Sequence, residues 1–297
     1  MTGLAIGITG RSIILSYIIC AIMVTIVALP QFFLSATIRM NGGFYTQAAM
    51  FGGKWFAGLY SVVFVSYFFG AATYSISFAD YVLSAFPEIN GKLVAFAILT
   101  VFVVLNLTGI QVAAKVQYAM VIILILALLV FAGFGFIHLE PGYFSEEQFF
   151  TGGFTGVMSA AALLSMATSG TPHFIILTIY VLCSIIILSG MNIGDVANIG
   201  NTLANCVQVI LCLAIITMPK KIPEIWKRSQ FHINDNAYTF LCILGALVSA
   251  AFVYYECLEI QVGHIIGIFV YLAIACIYPI IRAKFHKIEI NISYEEA

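Results

Sequence analysis

The sequence predicts an all-α polytopic membrane protein, on three observations. Of the 297 residues, 62% are hydrophobic and only 8% are charged, whereas soluble domains carry about 25% charged residues. The mean hydropathy is +1.08. Apolar runs of about 20 residues recur along the chain, which is the length of helix that crosses a bilayer. A transmembrane β-barrel is excluded, because its strands would give short segments of alternating hydrophobicity.

Nine apolar segments are long enough to be predicted as membrane-spanning helices. Proline marks boundaries at Pro87, Pro141, Pro172 and Pro219, while Pro30 lies inside the first segment and is expected to kink it. The nine segments are 13–38, 55–86, 93–112, 115–138, 152–170, 172–190, 196–218, 237–256 and 261–282.

Lys and Arg are distributed unevenly between the two ends of these segments, and cytoplasmic loops carry the excess. With the C-terminus inside, only Arg11 and Lys92 fall outside, and Met1 lies outside too. The cytoplasmic set is Arg39, Lys54, Lys115, Lys220, Lys221, Lys227, Arg228, Arg282, Lys284 and Lys287. The loops expected outside hold the acidic residues Glu140, Glu146, Glu147, Asp195, Glu256 and Glu259.

The segment Gly152–Phe174 differs from an ordinary membrane-spanning helix. Glycines interrupt it, and the polar run Ser165–Gly170 replaces the expected leucines. Backbone that leaves the helix at membrane depth must be buried in protein or line a wet cavity, and such broken helices form substrate sites in transporters. A small-residue face for helix packing is the alternative. The glycines are Gly152, Gly153, Gly156 and Gly170.

Two further sets of polar residues are candidates for a site. On segment 55–86, Tyr67, Tyr74 and Ser77 fall near one helical face and either line a cavity or pack in the core. Asp80 is either intramembrane, where a carboxylate is usually functional, or interfacial. Segment 196–218 carries a stripe that fits a vestibule or gate, with interhelical hydrogen bonding as the alternative. The stripe is Asp195, Asn198, Asn201, Thr202 and Asn205.

Four motifs resemble the amino acid–polyamine–organocation (APC) permeases. The first, Asn41–Tyr45, is similar to that family's turn between helices two and three, and Leu105–Gln117 to its junction between helices four and five. Gly152–Phe154 followed by Met166–Gly170 looks like its glycine-rich sixth helix. Pro219–Ser229 resembles the basic loop after helix ten.

The resemblance implies a single transmembrane permease domain over residues 1–297, with an incomplete inverted-repeat fold like that of the leucine transporter. In that family twelve helices contain two inverted five-helix repeats. Residues 1–150 resemble helices two to five, 151–218 helices six, nine and ten, and 219–297 helices eleven and twelve. We therefore expect helix one to be missing, and helices seven and eight to be lost near Gly170/Thr171.

The resemblance also implies a secondary transporter for amino acids or related amines, working by alternating access in the plasma membrane. The unwound part of helix six contacts substrate in that family, and here it corresponds to Met166, Ala167, Thr168, Ser169 and Gly170. The alternative is a truncated, non-transporting membrane protein, either a structural or regulatory subunit or a decayed gene product. The expected partners are a small-molecule substrate and the lipid bilayer, and no nucleic acid.

No catalytic or nucleotide-binding pattern is found in the sequence, so we expect a protein that is not an enzyme and uses no cofactor. The coupling ion stays open between a proton and sodium. The five histidines are too dispersed to predict a metal site. The seven cysteines are scattered through or beside apolar segments without a Cys-x-x-Cys pair, which is typical of small buried residues.

Overall fold

The computed structural model describes residues 2–40, 43–66, 68–107, 110–137, 149–165, 176–285 and 294–296. We number the helices of this part of the chain α1 to α13. The first seven are α1 (Thr2–Thr9), α2 (Ile13–Thr37), α3 (Gly43–Val65), α4 (Phe68–Ala85), α5 (Gly91–Leu107), α6 (Ile110–Ile137) and α7 (Gly153–Leu164). The others are α8 (Ile176–Ser189), α9 (Ile193–Ile215), α10 (Met218–Lys221), α11 (Pro223–Arg228), α12 (Asp235–Leu258) and α13 (Val262–Phe285).

The prediction of an all-α polytopic membrane protein is confirmed. Among the described residues, six helical stretches are long and apolar enough to cross a membrane. Three shorter apolar helices fall on the remaining predicted segments, namely Gly91–Leu107, Gly153–Leu164 and Tyr180–Ser189. Asparagine caps start two of the long helices, because the side chain of Asn192 accepts from Gly194 N at 2.9 Å and that of Asn234 from Asn236 N at 3.0 Å.

The predicted segment 55–86 falls on one apolar stretch, Phe44–Ala85, but two helices form this stretch. A turn at Ser66 separates α3 from α4, and Phe69 N donates to Ser66 O at 3.0 Å across it. A second break lies inside α3 at Gly53, whose φ of 81° and ψ of −173° are tolerated essentially only by glycine. Hydropathy did not indicate the turn at Ser66, because the flanking residues remain apolar on both sides. Gly53 lies just before the predicted segment and next to Lys54.

The break at Gly53 leaves carbonyl groups that a distant loop satisfies. Lys221 Nζ donates to the carbonyl oxygens of Met50 and Phe51, both at 2.9 Å, and Thr217 Oγ1 donates to that of Phe51 at 3.2 Å. Carbonyl groups at an interrupted helix have no donor of their own, so external donors stabilise them. Lys221 therefore ties the segment after α9 to α3.

Replacing Lys221 by glutamine should lower the unfolding free energy by about 1 kcal/mol, because two hydrogen bonds from a charged donor are lost at an exposed site. Thermal unfolding of the purified protein in detergent measures the effect. Lys220→Gln is the matched control, since Lys220 is an exposed neighbour in the same helix. Equal melting temperatures for the two variants would contradict the role of Lys221 as a helix cap.

The largest core cluster surrounds Trp226 of α11, which is 1% exposed. Its indole N–H donates to Asp235 Oδ1 at 2.8 Å, and its ring lies 5.1 Å from that of Tyr238 and 6.5 Å from that of Phe33, centroid to centroid. Edge and tilted contacts of this kind are favourable aromatic geometries. The basic loop predicted from the sequence is thus anchored in the core between α2 and α12.

A short antiparallel ribbon adds to the helical fold, and the sequence analysis did not predict it. Strand β1 (Ile38–Met40) pairs with β2 (Tyr294–Glu296), with Arg39 opposite Glu295. The pairing joins the end of α2 to the tail that follows α13. A three-residue strand has no periodic signal of its own, so only the folded chain reveals it.

Helix α6 lies at the periphery of the fold and packs against α5. Its apolar side chains are largely exposed: Ile123 is 65% exposed and Leu129 is 63% exposed. In an integral membrane protein such a surface is compatible with hydrocarbon chains, which are as apolar as leucine. Helices α7, α9 and α12, by contrast, pack against one another.

Candidate functional site

The glycines at the start of α7 bring it against α1 at backbone contact. A Cβ atom at Gly152 would lie 2.5 Å from Ile8 O, and one at Gly156 would lie 2.9 Å from the same oxygen. Real side chains do not tolerate such distances to a backbone atom. For this first half of the predicted broken segment, the small-residue packing interpretation therefore applies.

Helix α7 ends at Leu164, and Ser165 forms a 3-10 turn after it. The predicted substrate-contacting residues Met166, Ala167, Thr168, Ser169 and Gly170 follow directly and lie outside the described residues, as does Tyr67. Ten of the twelve residues of α7 are apolar or glycine, and the other two are Thr155 and Ser159. The residues from Val157 to Leu164 are buried. The helix is thus held rigidly up to the residue before the candidate segment.

A side chain of α9 binds the last turn of α7. Asn201 Nδ2 donates to Leu163 O at 2.9 Å and more weakly to Ala162 O at 3.5 Å. Asn201 is 0% exposed. Ser165 N already donates to Ala162 O. Carbonyl groups in the last turn of a helix have few donors from the same helix, so the amide acts as a C-terminal cap from outside, chiefly at Leu163 O. Its Oδ1 atom has no hydrogen bond within the described chain.

One turn further along α9, Asn205 connects three helices. Its Nδ2 donates to Glu256 Oε1 on α12 at 3.0 Å and lies 3.4 Å from Ser165 Oγ at the end of α7. Ser159 Oγ of α7 also donates to Tyr255 O of α12 at 3.4 Å. Because Asn201 and Asn205 are four residues apart, both side chains point from the same face of α9. We call Ser165, Asn201, Thr202, Asn205 and Glu256 the Asn205 cluster.

The assignment of Glu256 to an outer loop is wrong. Helix α12 extends to Leu258, and Glu256 is 1% exposed among α7, α9 and their neighbours. The predicted segment 237–256 ends at this residue because a charged residue lowers the local hydropathy and so indicates the end of an apolar segment. Its polar partner sits about fifty residues earlier in the chain, so one-dimensional hydropathy could not reveal that the carboxyl group is buried.

The remaining candidates are placed as follows. Tyr74 on α4 is 47% exposed, and α4 packs against α5, α8 and α9. Asp195 lies in the first turn of α9, and Asn198, 8% exposed, lies one turn before Thr202. Asp80 is exposed and lines a cavity of about 510 Å³ together with Lys92.

Within the described chain, the central residues of the polar stripe of α9 therefore make interhelical contacts. Asn201 and Asn205 both bind atoms of other helices, as the alternative interpretation of the stripe expected. Among the described residues, no group of three or more His, Cys, Asp or Glu side chains could hold a metal ion. The chemistry that this region offers is hydrogen bonding by amides, hydroxyls and one carboxyl group.

Comparison with known families decides the class of the protein. A family model described as amino acid permease matches residues 1–170, which is more than half of the chain. The chain belongs to the amino acid permease family. The match covers α1 to α7 and the candidate segment at 166–170. A search of curated proteins found no match.

Membership of this family makes the protein a transporter in general terms. Together with the apolar helices, it also makes this permease an integral membrane protein. The resemblance to the amino acid–polyamine–organocation superfamily, drawn from four short motifs, is confirmed.

Proposed function

We propose that this permease is a secondary transporter that moves amino acids or related amines across the cytoplasmic membrane by alternating access. Substrate contacts Met166, Ala167, Thr168, Ser169 and Gly170. The observation that carries the proposal is the end of α7 at Leu164, where the side chain of Asn201 binds the last-turn carbonyl groups directly before this segment.

The chemistry of a helix end suits an amino acid. The carbonyl groups of Ala162 and Leu163 already accept from Asn201, so those of the segment that follows are the ones available to an ammonium group. Free N–H groups at the start of a following helix bind a carboxylate. The helix dipole adds to both interactions, because its C-terminal end is negative and its N-terminal end is positive. The hydroxyl groups of Thr168 and Ser169 supply further polar contacts in the same segment.

The proposed orientation places the C-terminus in the cytoplasm, and several contacts support it. The β1–β2 ribbon joins the chain after α2, with Arg39, to the C-terminal tail. Thr37 Oγ1 donates to Ser229 Oγ at 3.2 Å, which brings the basic loop to the same place. Lys221 binds α3 near Lys54. Arg39, Lys54 and Lys221 thus lie at the same end of the helices as the basic loop, which supports the orientation that the positive-inside rule predicts.

The test is uptake of radiolabelled amino acids and amines by liposomes that contain the purified protein. We expect uptake of at least one of them above protein-free liposomes. Ser169→Trp should abolish it by filling the proposed contact segment, whereas the control Phe154→Trp should not, because Phe154 is 68% exposed on α7. Melting temperatures of both variants should stay close to that of the wild type.

Binding gives a second readout that does not depend on transport. A substrate at a hundredfold excess over its Kd stabilises the folded protein by about 2.7 kcal/mol, so it should raise the melting temperature. Uptake and stabilisation should occur with the same compounds. If a full panel of amino acids and amines gives neither uptake nor stabilisation, the proposal fails in favour of a non-transporting membrane protein.

A further inference from the structure

The buried carboxyl group of Glu256 is the one acidic side chain in the Asn205 cluster, and its surroundings are unusual for a carboxylate. It is 1% exposed, within a helix that crosses the membrane. A carboxylate in such a place is costly, and intramembrane carboxyl groups are usually functional. The membrane-spanning helices α2, α9 and α12 and the shorter α7 contain neither Lys nor Arg, so none of them supplies a counter-charge.

The hydrogen-bond donors around Glu256 are too few for the charged form. Oε1 accepts one hydrogen bond, from Asn205 Nδ2 at 3.0 Å, and Oε2 has none within the described chain. The Thr202 hydroxyl lies beside the carboxyl group, but it donates its own proton to Asn198 O at 2.8 Å. An ionised carboxylate accepts at two oxygens and needs several donors when buried, whereas a protonated one needs fewer.

Within the described part of the chain, the titratable groups near Glu256 carry no positive charge. The thiol of Cys206 on α9 and that of the adjacent Cys257 are close enough to interact with it. From α2, Cys20 belongs to the core cluster that includes Phe252 of α12, and α7 contributes no titratable side chain. The other carboxyl groups of these helices, Asp195 and Asp235, lie in the first turns of α9 and α12.

We propose that Glu256 is a reversible proton-binding site and that this proton is the coupling ion of transport. In the described conformation, the carboxyl group holds the proton on one oxygen. When the Asn205 cluster opens, the O–H bond breaks, the proton passes to water and the negative carboxylate remains. The proton-binding part stands on the geometry of the cluster alone, whereas the coupling part rests on the proposed transport function.

Coupling to substrate follows from the second contact of Asn205. The same amide lies at Glu256 Oε1 and near Ser165 Oγ, the residue directly before Met166. Loss of the proton makes Glu256 a stronger acceptor, because hydrogen bonds to a charged group are shorter and stronger. The amide is then drawn towards α12 and away from the end of α7. The protonation state of Glu256 thereby changes the support of the proposed substrate segment.

A proton fits this site better than a metal ion does. Hard cations require several oxygen ligands around them, while Oε2 has no hydrogen-bond partner among the described residues and the side chain is almost fully enclosed. A proton needs no cavity.

Infrared spectroscopy tests the proton directly, in purified protein kept in a detergent without ester groups. A buried protonated carboxyl group gives its own C=O stretching band at neutral pH. The band should be present in the wild type and in the control E259Q, whose side chain is exposed, and absent in E256Q. Absence of the band in the wild type, or its persistence in E256Q, overturns the proposal. If E256Q does not fold, the variant N205A tests the assignment of the band. Loss of the hydrogen bond from Asn205 to Glu256 should shift the band, and an unchanged band overturns the proposal.

Transport tests the coupling. With one proton per substrate, each pH unit of an inward proton gradient raises substrate accumulation by up to about tenfold. The wild type and E259Q should show this dependence, while E256Q should exchange substrate yet accumulate none against its gradient. Gradient-driven accumulation by E256Q, or accumulation that follows sodium at constant pH, overturns the coupling. If the wild type shows no uptake at all, the proposed transport function fails, and the infrared result still decides on proton binding.

Discussion

Alanine at Gly156 should destabilise the protein, whereas alanine at Gly267 should leave it unchanged or stabilise it. Both glycines lie inside helices, where alanine is favoured over glycine by about 1 kcal/mol. At Gly267 the added Cβ meets open space, but at Gly156 it would lie 2.9 Å from Ile8 O. Separating α7 from α1 to relieve that contact costs about 1–3 kcal/mol. Gly156→Val should cost more, because two further carbon atoms enter the same contact.

Melting temperatures in the same detergent check that the two positions change stability in opposite directions. Four variants are compared, with alanine or valine at Gly156 or at Gly267. Uptake should fall with the Gly156 variants, since α7 leads directly into the proposed substrate segment. The fold at the α1–α7 contact would need revision if Gly156→Ala were as stable as Gly267→Ala. It would also need revision if valine were tolerated at both positions equally.

The existence and order of the membrane helices could be predicted because bilayer thickness fixes the length of an apolar helix. All nine predicted segments overlap apolar helices of the described chain. Their interruptions could not be predicted in the same way. At the break near Gly53, Lys221 and Thr217 bind the carbonyl group of Phe51 from a segment about 170 residues away in the chain. Hydropathy is a local property of the sequence and does not indicate such a distant contact.

The candidate site was predictable in part for a similar reason. The spacing of Asn198, Asn201 and Asn205 predicts one polar face on α9, since residues three or four apart are neighbours on a helix. The partners of that face are the end of α7 and Glu256 of α12. Sequence spacing gives no information about which helix lies opposite, so Glu256 was assigned to a loop although it is buried.

The asparagines of α9 bind different kinds of acceptor, although their spacing in the sequence does not distinguish one from another. Asn201 binds carbonyl groups at a helix end, and Asn205 binds a carboxyl group. Gln208, about two turns beyond Asn201, lies 3.5 Å from Val27 O in the middle of α2. A carbonyl group in mid-helix already accepts from the N–H four residues on. The energetic value of each amide therefore depends on whether its acceptor has another donor.

Asn201→Leu should consequently be far more damaging than Gln208→Leu. Leucine has the branched shape and the same number of side-chain heavy atoms as asparagine, although its methyl groups are bulkier. It leaves the carbonyl groups of Leu163 and Ala162 without the side-chain donor in a buried place, at a cost of about 1–3 kcal/mol. Removing Oδ1, which has no hydrogen bond within the described chain, offsets part of this cost. Gln208→Leu should cost less than about 1 kcal/mol, because its weak hydrogen bond is redundant for Val27.

Asn201→Asp separates the role of the donor from that of polarity. The carboxyl group keeps the size and the polar character of the amide, but it can donate to Leu163 O only when it is protonated. An ionised form opposes the carbonyl oxygens of α7, and keeping the proton on at neutral pH costs free energy, whereas the amide keeps its donor without this cost. We therefore expect Asn201→Asp to be less stable than Asn201→Leu, and both to take up less substrate than Gln208→Leu. If Asn201→Leu and Asn201→Asp both retain the stability and uptake of the wild type, the amide does not cap α7, and the support for the segment after Leu164 must come from elsewhere.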